Sequence, residues 1–240
     1  MVNVIFEIAR KEATSYYARK GIIMQNALLA IVFCLVPIQQ ISATIAAVGY
    51  HASAFAGLLD FYLLFAAFYP IVIASGISIF AFPVERDQRT IEHLLSLPLT
   101  NAEIFLGKVL AAVVTALIWA VIMYGAILGY TLTMNPIIWD APLLTPSLSI
   151  LLFAIVPAII LLSTMMTVAL TSYISNTRGA YMVNIVIMGI MIGLTGVRSA
   201  MLVEAATFNL MLLAFLALLL VVTYVLSVKG FNREKLIAKT

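Results

Sequence analysis

Two histidines, one cysteine and ten carboxylates are the groups from which acid–base, metal or nucleophile chemistry would be built in this chain, and none falls in a catalytic spacing. His51 and His93 belong to segments assigned below to opposite surfaces, so they form no metal pair. Cys34 stands alone in an apolar run, which excludes an intrachain disulfide or thiolate cluster and leaves a small buried hydrophobe. A Gly-x-Ser-x-Gly nucleophile elbow is absent, as is a Gly-x-x-x-x-Gly-Lys-[Ser/Thr] loop able to cradle phosphates. The sequence therefore gives no reason to expect a catalytic residue, a metal or a cofactor held by this chain.

The charges that do cluster lie between Val84 and Lys108, where two short helices are expected on either side of a hard break. Asp87 can cap the first, and Ile91, Leu94 and Leu95 give it an apolar stripe. Pro98 ends it, because a residue before proline is pushed out of the α region. Thr100 and Glu103 are then spaced as a capping box, with Leu99 and Ile104 placed for the hydrophobic staple around it. The first helix is too short and too polar to cross a membrane. It suits an interfacial tether, or equally a rigid rod that fits a groove on a soluble partner and carries a push into the elements beside it.

Those elements are set by composition. The 240 residues are 64% hydrophobic and 10% charged, against about 45–50% and about 25% in ordinary globular domains. A soluble fold could not hide so much apolar surface, and a bilayer takes it up at about 20 residues per helix. Six uncharged stretches are long enough: 21–48, 61–84, 109–139, 141–177, 179–197 and 205–228. The segment from Asn135 to Pro146 has the prolines and polar residues of a turn between the third and fourth. The expected fold is thus an all-α polytopic membrane protein of six transmembrane helices in one domain, 1–240. The basic N-terminus resembles a signal peptide, but the apolar run after it is longer than the roughly 7–15 residues of an h-region. It is expected to be kept.

Orientation follows from Lys and Arg. With the N-terminus inside, twelve of these residues lie on the cytoplasmic side and only Arg198 outside. An even number of spans returns the C-terminus to the cytoplasm. Asp60 is expected as a solvated carboxylate at the outer start of the second span. Gln39, Gln40 and Asn184 are expected to hydrogen-bond between helices. Tyr124, Tyr130, Tyr173 and Tyr181 read as interfacial belt residues at helix ends, and Ser75, Ser78, Ser163, Thr164 and Thr167 as a hydroxyl surface suited to an amphipathic substrate. Gly189 and Gly193, and likewise Gly125 and Gly129, are small-xxx-small pairs for close helix packing.

The elbow resembles that of the membrane subunits of type-2 ABC exporters. The residues that carry the likeness are Glu85, Thr90-Ile91-Glu92, Leu94-Leu95, Pro98, Glu103 and Gly107-Lys108; Arg89 departs from it, standing where that family usually has Gly. Residues 1–20, with Ile8-Ala9-Arg10-Lys11-Glu12 and Ala18-Arg19-Lys20-Gly21, are similar to the family's amphipathic connecting helix, with Ile5, Ala9, Ala13 and Tyr16 on one face. The resemblance implies a permease in the plasma (inner) membrane of a prokaryote, paired with a second permease subunit as homodimer or heterodimer. A separate cytoplasmic ATPase would bind ATP and magnesium and drive efflux. It implies a coupling helix within 84–108, with Glu85, Arg86, Arg89, Thr90, Glu92, Leu95 and Pro98 at the ATPase contact, Arg178 as a further candidate, and Gly189 and Gly193 at the permease interface. The rival readings are a self-contained secondary transporter or channel, which would ordinarily carry an ionisable group within its spans, an intramembrane enzyme, and a non-transporting assembly factor. The cargo is not legible.

Overall fold

The computed structural model of the chain describes residues 2–48, 52–79, 100–134, 145–171 and 204–230, with single positions between 182 and 197. Every regular element among them is helical. In order these are α1 (Val2–Ala18), α2 (Lys20–Val48), α3 (Ala52–Ala66), α4 (Phe68–Ile79), α5 (Asn101–Met134), α6 (Pro146–Ile150), a wide turn over Leu151–Ile155, α7 (Val156–Thr171) and α8 (Ala205–Gly230).

Five helical stretches among the described residues are long and apolar enough to cross a bilayer: Lys20–Ala47, Gly57–Ile79, Ala102–Met134, Pro146–Leu170 and Ala205–Val225. They correspond to the first four and the last of the stretches read from the sequence. The remaining stretch is represented by Met182, Ile185, Val186, Gly189, Ile190, Gly193 and Val197, each helical and exposed.

The interruptions have local causes. Pro70 lacks the N–H that would bond the Ala66 carbonyl, and α3 stops at Ala66. The Ala67 N–H is shared between the carbonyls of Leu63 and Leu64, both at 3.2 Å, before α4 resumes. Between α6 and α7 the Val156 N–H reaches the Leu151 carbonyl, five residues back. That widened turn lies immediately before Pro157, whose ring would crowd a regular i−4 carbonyl. Thr145 caps α6 by accepting from the Leu148 N–H at 3.2 Å, with Pro146 at the first helical position, where a missing N–H costs nothing.

The span made of α3 and α4 is the most enclosed, and α2 and α8 are the least. Leu63, Leu64, Ile71, Ile127, Leu151, Ile155 and Ile160 form the centre of the core, against which Ile41 of α2 and Leu212 of α8 close. A smaller cluster of Ile104, Phe105, Val109, Met165 and Val168 joins the start of α5 to the end of α7. Hydroxyls cross this core without cost because each bonds a carbonyl one turn back. Ser75 donates to Ile71, Ser78 to Ala74, Thr164 to Ile160 and Thr167 to Ser163. The Ser75 and Ser163 hydroxyls also meet each other at 2.8 Å, bridging α4 and α7.

Candidate functional site

The start of α5 is built by its own first residues. The Thr100 N–H and hydroxyl both donate to the Glu103 carboxylate, at 2.8 and 2.7 Å, and the Glu103 N–H donates back to the Thr100 hydroxyl at 3.3 Å. This is the capping box that the spacing predicts. Ile104, the staple residue inside the helix, is fully buried; its expected partner Leu99 lies outside the described residues. So do the other elbow candidates, Glu85, Arg86, Arg89, Thr90, Glu92, Leu95 and Pro98, together with Arg178.

One turn further on, α1 lies against α5. A Cβ built on Gly107 would come within 2.8 Å of the Ile8 Cβ and 3.3 Å of the Ile5 carbonyl, so only glycine lets the two backbones approach this closely. The next residue, Lys108, is buried, and its ammonium donates to the Glu12 carboxylate at 2.9 Å. Ala9 and Tyr16 are buried on the same side of α1, while Arg10 and Lys11 are exposed. The face that carries Ala9 and Tyr16 is thus turned inward, with Ile5 and Ile8 close to α5 at Gly107.

The end of α1 is tied in turn to the spans. The Asn26 amide of α2 donates to the Tyr16 hydroxyl, and the Tyr69 hydroxyl of α4 donates to the Asn26 carbonyl at 3.0 Å. Burial pushes the Tyr16 hydroxyl's pKa up, against the opposing pull of the Asn26 bond. The Tyr69 ring packs edge-on against Trp119 of α5 at 6.2 Å and lies tilted by 39° against Phe33 of α2 at 6.0 Å.

At the opposite end of the bundle the structure corrects the reading of Asp60. Instead of a solvated helix-start carboxylate it is 1% exposed, on α3, and accepts a hydrogen bond from the Ser147 hydroxyl of α6. The Asn209 amide of α8 donates to both the carbonyl and the hydroxyl of Ser147 at 3.0 Å. Three helices meet in this knot. Nothing in any one of their sequences could announce it, because each contributes one polar residue at an unremarkable place.

Other expectations are redrawn as well. Tyr124 is no belt residue: it is buried in the middle of α5 and donates to the Leu63 carbonyl at 3.1 Å, where the Pro70 interruption leaves the chain irregular. Tyr130, nearer the helix end, is exposed as expected, and Tyr173 and Tyr181 lie outside the described residues. Ser75, Ser78, Ser163, Thr164 and Thr167 are buried, with their hydroxyls bonded to carbonyls or to each other. Gln39 and Gln40 are exposed on α2, with no inter-helix hydrogen bond among the described residues, and Asn184 is not one of these. Cys34 is half-buried against the Met123 carbonyl, as a small core residue. Among the described residues, Gly125, Gly129, Gly189 and Gly193 meet no neighbouring atom within 4 Å of a built Cβ. Among the described residues no group of three or more His, Cys, Asp or Glu is placed to hold a metal ion.

An all-helical bundle of apolar spans, with a stiffened helix start beneath it, defines a multi-pass membrane protein. The family model described as ABC-2 family transporter protein matches residues 3–210, nearly the whole chain, and the chain belongs to that family. Comparison with curated proteins finds no match.

Proposed function

We propose that this chain is the membrane subunit of an ATP-driven exporter, with six spans, both termini in the cytoplasm, and its 84–108 elbow seated in a separate ATPase. The observation that carries the reading is the base of α5. There the capping box, the Gly107 contact and the buried Lys108 turn the end of the elbow into a fixed attachment, as a part that must transmit force requires. ATP and magnesium would be bound by the partner, and closure of two ATPases around two permeases would rearrange the spans. The export direction is carried over from the resemblance of the elbow to type-2 ABC exporters, and the twelve-to-one distribution of Lys and Arg supports the inward placement of both termini.

The test is recovery of the tagged chain from native membranes. A nucleotide-hydrolysing protein should accompany it, and Glu92→Lys or Leu95→Asp should abolish that association while leaving insertion intact. Retained association in both variants would remove the elbow from the mechanism. The competing reading of a self-contained secondary transporter or channel gains one observation, the buried Asp60. It predicts solute flux from the chain reconstituted alone under an ion gradient, where the exporter reading expects none.

A further inference from the structure

We infer that α1 and α5 move as one body, with Gly107, Glu12 and Lys108 as positioning residues that make α1 the second arm of the lever. This rests on the proposed function and adds to it a route for the push. Three observations carry the inference. The Ile8 side chain of α1 sits against the bare Gly107 position of α5, where an added Cβ would come within 2.8 Å of it. Four residues along α1, the Glu12 carboxylate meets the Lys108 ammonium at 2.9 Å, with the lysine side chain 1% exposed. At its far end α1 holds α2 and, through the Asn26 carbonyl, α4, by the Tyr16–Asn26–Tyr69 chain of hydrogen bonds.

A contact without slack and a part-buried ion pair resist sliding for different reasons. Translation by one helical turn, about 5 Å, would move the Ile8 side chain off the bare Gly107 position onto α5 positions that carry side chains, and would pull the buried Lys108 ammonium away from its carboxylate. Displacement of the α5 base therefore carries α1 with it. The helix breaks only at Arg19, whose N–H bonds the Tyr16 carbonyl at 3.1 Å, so the motion of α1 is delivered at Tyr16 to the start of α2. A push entering below α5 thus reaches α2 and α4 as well as α5 itself.

The experiment uses the complex recovered through a tag on this chain, in a Cys34→Ser background. Spin labels replacing exposed Glu7 of α1 and Thr133 of α5 should report the same separation in the nucleotide-free and vanadate-trapped complexes. A change of more than about 5 Å, one helical turn, would show that α1 moves independently and would overturn the inference. In parallel, Glu12→Lys and Gly107→Leu should each lower kcat for ATP hydrolysis per assembled complex by about fivefold, the low end of ordinary coupling. KM for ATP should hold, the ATPase should still co-purify, and Glu12→Asp should retain most of the rate. Unchanged kcat in both disrupting variants would reduce the joint to a packing contact and end the proposal. Absence of nucleotide hydrolysis from the wild-type preparation would sink the exporter reading first and this inference with it, whereas intact hydrolysis with a mobile α1 sinks this inference alone.

Discussion

At Thr100 and Glu103 two residues three apart satisfy each other's backbone, and no other part of the fold is needed to arrange them. Such a cap is readable in sequence because its geometry is local. Replacing Thr100 or Glu103 by Ala should cost about 1 kcal/mol each. Thermal denaturation of the purified protein in detergent, with the double variant costing less than the sum of the two, would check the reciprocity. The knot at Asp60 is the contrary case. Ser147 both donates to the carboxylate and accepts from Asn209, so Ser147→Ala should destabilise by about 1–3 kcal/mol, the range for stranding a buried polar group. A melting temperature equal to wild type would show that the three helices do not depend on it. Charge counting could only place Asp60 near an outer helix start. Its burial is a property of three helices separated by long stretches of chain, which periodicity does not reach.

Elements were legible where apolar length decides them and less so where a single residue interrupts. The spans beginning near Gly21, Val109 and Ala205 appear as α2, α5 and α8 with ends shifted by a few residues or by one extra turn or more of polar helix. The division of the second span at Ala67 was not read, although Pro70, which causes it, stands in plain view. The Gly107-Lys108 pair was recognised as part of a pattern, but its reason was hidden. Its partners Ile8 and Glu12 lie at the other end of the chain's first hundred residues. Between α4 and α7 the Ser75–Ser163 hydroxyl pair should contribute modestly, since each hydroxyl also has a carbonyl one turn back within reach. A double-mutant cycle with Ser75→Ala and Ser163→Ala should give a coupling of about 0.6 kcal/mol, typical of polar pairs between membrane helices. A value several times larger would mean the pair, not the surrounding packing, holds α4 to α7.

For the whole molecule, the exposed side of the bundle is informative. α2 presents Met24, Leu28, Ile31, Val32 and Leu35 outward, and the described positions of 182–197 are apolar and exposed as well. Lipid can cover such faces, and so can a second permease subunit; Gly189 and Gly193, with open space around them, admit close approach of another helix. If they lie at the subunit interface, Gly189→Leu should shift the purified permease from dimer toward monomer in multi-angle light scattering, while Gly125→Leu should not. Equal behaviour of the two variants would remove the Gly189 pair from the interface.

The wide turn at Leu151–Ile155 also decides which way a distant side chain faces. In an unbroken helix Ser147 and Ser163, sixteen positions apart, would point about 160° away from each other. Absorbing one residue into the turn brings them to about 60°, and both then face inward, one toward Asp60 and the other toward Ser75. Deleting the exposed Phe153 leaves the two serines fifteen positions apart, so ordinary winding keeps them at about 60° and Ser147 in register. Such a variant should melt close to Phe153→Ala, whereas a deletion that melts far lower would show that the turn does not absorb one residue.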